Sequence, residues 1–159
     1  MNRERGPDPR LNAYREDLAA AHLRGEVKAS RFAEGVDRLV RASVLPLLRR
    51  PEANAPMDTQ LLFGETFRVF EEKNGWAWGQ SLLDDYVGYV EAKELSPRAL
   101  TPTHTVAALR TFVYPKPDLK TRPATPLSMN AKVKVGGARG SYSELETGGW
   151  VFSAHLAPI

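Results

Sequence analysis

Residues 36–159 predict a mainly β fold of two small barrels in tandem, preceded by an extended segment with a short helix. Three observations predict it. From residue 36 onward, apolar and polar side chains alternate with the period of two that a half-buried strand requires. Tight-turn signals separate the alternating stretches, above all Asn74-Gly75. The whole stretch then recurs once at a nearly constant spacing.

The elements follow in chain order. Asp8-Pro9-Arg10-Leu11 reads as extended chain, because proline disfavours helix in the residue before it. Asp17 to Gly25 reads as a short helix, with Asp17 as N-cap or first-turn acid and Gly25 as the stop. A helix this short is unstable alone and must pack on something. Phe67 and Val69 flank Arg68 as one strand, and Trp76-Ala77-Trp78 returns from the Asn74-Gly75 turn as the next. Val87-Gly88-Tyr89-Val90 is another. Later, Ala131, Val133 and Val135 alternate with Lys132 and Lys134, placing apolar groups on one face and lysines on the other. Gly136-Gly137 and Gly148-Gly149 read as turns between strands.

The repeat sets the boundaries. Val40 aligns with Val106, Phe63 with Met129, Val69 with Val135 and Trp76 with Tyr142, each 66 residues apart. Tyr89 aligns with Trp150 and Leu95 with Leu156, each 61 apart. The offset changes once, in the hairpin around Ser81–Asp85, where insertions are cheapest. The reading is an N-terminal extension over 1–35, a first barrel over 36–98 and a second over 103–159. Each repeat has about five short strands, a long proline-bearing first loop and a closing Gly-aromatic-Val strand, which suits an SH3-like barrel. Barrels of roughly 60 residues are near the lower limit for independent folding, so two in contact support each other.

Composition excludes several functions. The chain has no cysteine, which removes disulfides, thiolate metal sites and thiol nucleophiles together. His22, His104 and His155 lie far apart with no metal-site spacing, and no metal or cofactor is expected. No nucleophile elbow holds a serine, and no phosphate-binding glycine loop is present. The N-terminus lacks the apolar region of a secretory signal, and no stretch suits a bilayer span, so a cytoplasmic location with no membrane partner is expected, with a periplasmic or secreted one as the alternative. Residues 36–100 hold eight basic and ten acidic side chains, and residues 101–159 seven and three. A nucleic-acid binder is more often basic throughout, so no nucleic-acid partner is expected. The basic side chains of the second barrel, among them Lys116, Lys120, Arg122, Lys132, Lys134 and Arg139, are read as a solvated face.

Asp58-Thr59-Gln60-Leu61-Leu62-Phe63-Gly64-Glu65, Gly75-Trp76-Ala77-Trp78 and Tyr86-Val87-Gly88-Tyr89-Val90 resemble the first bacterial SH3 domain of NlpC-type murein-peptide endopeptidases. The segments Asp8–Asn12 and Asp17–Gly25 are similar to the stretch preceding that domain, and Ala154–Pro158 to the exit from the second. The resemblance implies a papain-like catalytic domain, with a Cys nucleophile and a His base, following the two barrels. This chain stops where that domain is expected, as a piece of a longer cysteine peptidase or as a non-catalytic relative. The chain itself is not expected to be an enzyme.

The resemblance also implies a site. In that family the first barrel walls one side of the cleft, and an acid and a tyrosine recognise the free amine of the substrate's N-terminal L-Ala. The matching residues are Asp58 and Tyr86. A carboxylate suits an ammonium group because charge-assisted hydrogen bonds are about twice as strong as neutral ones. A phenol oxygen can accept a further bond from it. Gln60 and Glu65 flank the same loop and are candidate cleft residues, although Glu65, after Gly64, also reads as a turn residue. Trp76 and Trp78, with Phe67 and Tyr89, are candidates for an aromatic peptide groove. Alternation puts both tryptophans on one face, so at least one is expected to fill the barrel core.

Two functions therefore compete: a substrate-positioning region of a cell-wall peptide endopeptidase, acting on murein peptide with a free L-Ala N-terminus, and a stand-alone cell-wall peptide or protein-binding module. Nucleic-acid binding through SH3-like barrels is a third and weaker reading.

Overall fold

The computed structural model describes residues 6–159, and its regular structure is mostly short antiparallel strands. The extension contributes β1 (Ala19–Ala20) and β2 (Phe32–Ala33), paired in parallel. The first repeat contributes β3 (Val36–Leu39), β4 (Val44–Leu48), β5 (Met57–Leu62), β6 (Thr66–Lys73), β7 (Trp76–Ser81) and β8 (Val87–Glu91). These form one sheet in the order β3-β6-β7-β8-β4-β5. The second repeat contributes β9 (His104–Val106), β10 (Arg110–Val113), β11 (Thr125–Ser128), β12 (Lys132–Val133), β13 (Val135–Arg139), β14 (Tyr142–Leu145), β15 (Trp150–Phe152) and β16 (Leu156–Pro158). Its strands fall into three smaller sheets, β10-β11, β12-β9-β16 and β13-β14-β15.

The two repeats pair their strands at the offsets read from the sequence. Val40 bridges Leu95 as Val106 pairs with Leu156. Trp78 faces Tyr89 as Glu144 faces Trp150. The bulge between Val69 and Glu71 recurs between Val135 and Gly137. The single-turn 3-10 helix Ala92–Glu94 recurs as Ser153–His155. Each repeat encloses its own apolar cluster. Leu45, Leu47, Leu61, Phe67 and Val90 fill the first, and Val106, Val113, Leu127, Val133 and Val151 the second. Each such side chain contributes roughly 1.5–3 kcal/mol by leaving water.

Three expectations are corrected. The helix expected over Asp17–Gly25 is one 3-10 turn, Ala21–Leu23, entered from β1. Asp17 does not cap it. Its carboxylate takes the Arg15 guanidinium instead, at 2.8 Å. Gly136-Gly137 is not a turn but lies within β13 at the bulge, a usual use of glycine in a strand. Trp78 is buried, but not by the barrel interior. Ala77, its neighbour, points into the first core. Trp78 points to the outer face, where Ala13, Leu18, Ala20 and Leu23 of the extension cover it.

The extension is thus a strap across the first repeat. The Val87 amide donates to the Arg10 carbonyl at 2.8 Å, and Gln80 Nε2 donates to the Leu11 carbonyl at 3.0 Å. The outer face beneath it carries Phe70, Trp78, Val87 and Tyr89. The corresponding positions of the second repeat are Gly136, Glu144, Gly148 and Trp150, and among the described residues no second strap covers that face.

The repeats also touch each other. The Lys132 amide donates to the Phe63 carbonyl at 2.8 Å, and Ser43 Oγ donates to the Pro126 carbonyl at 2.6 Å. The Phe63 side chain packs on the second core rather than the first. Its partner in the alignment, Met129, is exposed.

Candidate functional site

Asp58 owes its position to a β-bulge. Leu47 pairs with Thr59 and Leu48 with Met57, so Asp58 is the extra residue between them. Bulges re-aim a side chain, and they concentrate at sheet edges such as β5. Its carboxylate meets Arg49, whose Nε donates to Oδ1 at 2.8 Å. A second guanidinium nitrogen of Arg49 lies 2.8 Å from the same oxygen. The Asp58 side chain is 9% exposed, while that of Arg49 is 56% exposed, so the cation sits at the mouth and the acid behind it.

Asp84 joins this strand to the loop that carries Tyr86. Its Oδ2 accepts from Thr59 Oγ1 at 3.1 Å, and its Oδ1 accepts from the Tyr86 amide at 3.3 Å. The structure therefore brings Asp58 and Tyr86 to the same corner of the first repeat. Arg10 of the strap faces that corner. Its pKa is raised chiefly by hydrogen bonds to Asp8, with Tyr86 and Asp58 adding smaller attractions. The Tyr86 side chain is half-buried against the first core.

The other candidates separate from this pair. Gln60 is exposed in β5, opposite Pro46. Glu65 is 7% exposed and belongs to the turn between β5 and β6, where Oε2 accepts from the Leu62 amide at 3.1 Å. Burial pushes its carboxyl above the ordinary range, against the Leu62 hydrogen bond. This position has a thermodynamic signature. Glu65 is neutral in both states well below its unfolded pKa of about 4.5. As pH rises, the unfolded chain ionises first, so the folded state loses stability. Glu65→Gln should therefore match the wild type in urea denaturation at low pH and exceed it in stability at pH 7. A constant difference across that range would contradict the assignment.

Trp76, Trp78 and Tyr89 do line a cleft of about 680 Å3, together with Arg15, Asp17, Glu71 and Lys73. The chain occupies its aromatic wall itself. Arg15 stacks 4.4 Å from the centre of the Trp78 ring and bonds Glu71 at 2.9 Å and the Tyr89 hydroxyl at 3.3 Å. Burial opposes its charge, but the bonds to Asp17, Glu71 and Tyr89 outweigh that and hold its pKa above the ordinary value. Trp76 is half-buried at the edge.

Arg10, Arg15, Arg49 and Asp84 were not singled out by sequence reasoning. The only signal was a pair of arginines, Arg49-Arg50, opening the long first loop. Among the described residues, no three His, Cys, Asp or Glu side chains are grouped to hold a metal, and no helix is long and apolar enough to cross a membrane.

Residues 47–95 match the family of the bacterial dipeptidyl-peptidase Sh3 domain, the stretch from β4 through the turn after β8 that holds Asp58, Asp84 and Tyr86. An NlpC/P60 family protein from Bacillus cereus ATCC 10987 has a similar structure, with a TM-score of 0.60 at 14% identity. The similarity covers 77% of this chain and 56% of that one. NlpC2 and NlpC1 from Trichomonas vaginalis align over 79% and 81% of this chain and 48% and 47% of theirs, at 14% and 12% identity and TM-scores of 0.33 and 0.35. No curated protein matches the sequence. The family match lies within the first repeat, and the chain spans 56% of the length of the B. cereus structure that shares its fold.

Proposed function

We propose that this chain is the non-catalytic, substrate-positioning region of a cell-wall peptide endopeptidase, in which Asp58 and Tyr86 read the free amine of an N-terminal L-Ala. Its working parts are the extension over 1–35 and barrels over 36–98 and 103–159, with a papain-like catalytic domain as partner. The supporting observation is the corner itself. A bulge turns the Asp58 carboxylate out of the ladder, and Asp84 ties its neighbour Thr59 to the Tyr86 amide. The second repeat has no such set. At the alignment offsets, Ala124 stands for Asp58, Pro115 for Arg49 and Thr147 for Tyr86.

Arg49 holds the place of the ligand cation. Its guanidinium gives Asp58 the charge and the donors that an ammonium would give, from an exposed side chain free to swing aside. Asp58→Asn keeps the shape and removes the charge. It should weaken binding of L-Ala-γ-D-Glu-diaminopimelate about tenfold or more, because a hydrogen bond to a charged group contributes roughly 1.5–3 kcal/mol. The N-acetylated peptide, which has no ammonium, should bind poorly to both proteins. Equal affinity for free and acetylated peptides would rule out amine recognition.

A further inference from the structure

The two repeats and the linker between them line a second, partly open cavity of about 620 Å3, within the range of small-ligand sites. Asp58 and Tyr86 do not line it. Its wall is largely apolar, from Leu39, Phe63, Leu100 and Tyr114, with three prolines at the linker and the loop after β10. Its charge is one-sided. Arg41, Arg98, Lys132 and Lys134 line it against one acid, Glu146. Lys134 is 3.2 Å from Glu146 and neutralises it. Arg41, Arg98 and Lys132 make no ion pair within 4.0 Å among the described residues. The Lys132–Phe63 backbone bond joins the two repeats at this cavity, and the Ser43–Pro126 bond joins them nearby.

We propose that this cavity binds a small amphipathic carboxylate, a molecule with one apolar side chain and one carboxylate, such as the terminal residue of a peptide. The apolar part lies against Phe63, Leu100 and Tyr114. The carboxylate meets the guanidinium groups of Arg41 and Arg98, whose forked donors match its two oxygens. An apolar molecule without charge leaves the cations unused, and an inorganic anion leaves the apolar wall wet. The ligand must therefore carry both features. The site is independent of the amine corner, so either can fail alone.

The test is an amide chemical-shift titration of the whole chain with N-acetyl-L-phenylalaninate. The neutral N-acetyl-L-phenylalaninamide and plain acetate serve as the two half-ligands. Saturable shifts are expected at Phe63, Gly64, Lys132, Gly148 and Gly149 with the carboxylate only. Arg41→Ala and Arg98→Ala, both at exposed positions, should each weaken it about tenfold with an unchanged melting temperature. Equal binding of the amide, shifts outside the cavity, no saturation up to about 10 mM, or an Arg41→Ala/Arg98→Ala double variant that binds as the wild type would each overturn the proposal.

Discussion

Gly64→Ala is expected to destabilise the protein by about 3 kcal/mol or more and to loosen the two repeats from one another. Gly64 sits at φ +80°, where a side chain is strained by roughly 1–2 kcal/mol. A methyl there would also overlap the Lys132 carbonyl oxygen, a backbone atom that cannot rotate away. The Lys132–Phe63 hydrogen bond and the seat of Phe63 on the second core lie beside it, so relieving the clash separates the repeats. Gly75→Ala is the control. It has φ +81° with nothing within 4 Å of the added methyl, and should show the backbone strain alone. Urea denaturation of both variants reads the difference. If Gly64→Ala and Gly75→Ala lose the same stability, the close contact between the repeats is wrong.

Trp78→Ala is expected to remove about 3–5 kcal/mol, the usual loss for a buried large aromatic, and to free the strap. Trp78 is 3% exposed, shares an apolar cluster with four buried strap residues, and meets the Phe70 ring at 5.8 Å and the Arg15 guanidinium. Without it the strap keeps its few backbone bonds but loses its apolar seat. Limited trypsin digestion should then cut at Arg15, Arg24 or Lys28 at a concentration that leaves the wild type intact. Glu144→Ala, the counterpart in the second repeat, is exposed and should change neither stability nor cleavage. A Trp78→Ala protein whose strap still resists trypsin would show that the strap is held otherwise.

The duplication was legible because strand pairing follows side-chain period and turn position, both local in sequence. The pairs Val40–Leu95 and Val106–Leu156 occupy matched bridges, as their spacing implies. What was not legible depends on what packs from outside. The run Asp17–Gly25 has helix-like composition, but Leu18, Ala20 and Leu23 are drawn onto Trp78, and the Ala19 amide bonds the Arg31 carbonyl. Tertiary packing overrides propensity over so few residues. For the same reason the tryptophans read as barrel filling. Alternation assigns Trp76 and Trp78 to one face but does not say that a separate segment covers it. At the candidate site, Asp58 and Tyr86 were named from resemblance. The bulge that turns Asp58, the Asp84 bracket and the Arg49 partner are register effects with no local signal.

In the proposed function, the corner of Asp58 and Tyr86 is where the first repeat receives a peptide amine. The most direct measurement follows backbone amide and Arg side-chain NMR signals while L-Ala-γ-D-Glu-diaminopimelate is added. Saturable shifts are expected at Asp58, Thr59, Asp84 and Tyr86 and at the Arg49 Nε–H, with the signals of Trp76 and Lys73 unmoved. Shifts centred on Trp76, Trp78 and Lys73, or equal shifts with the N-acetylated peptide, would contradict it.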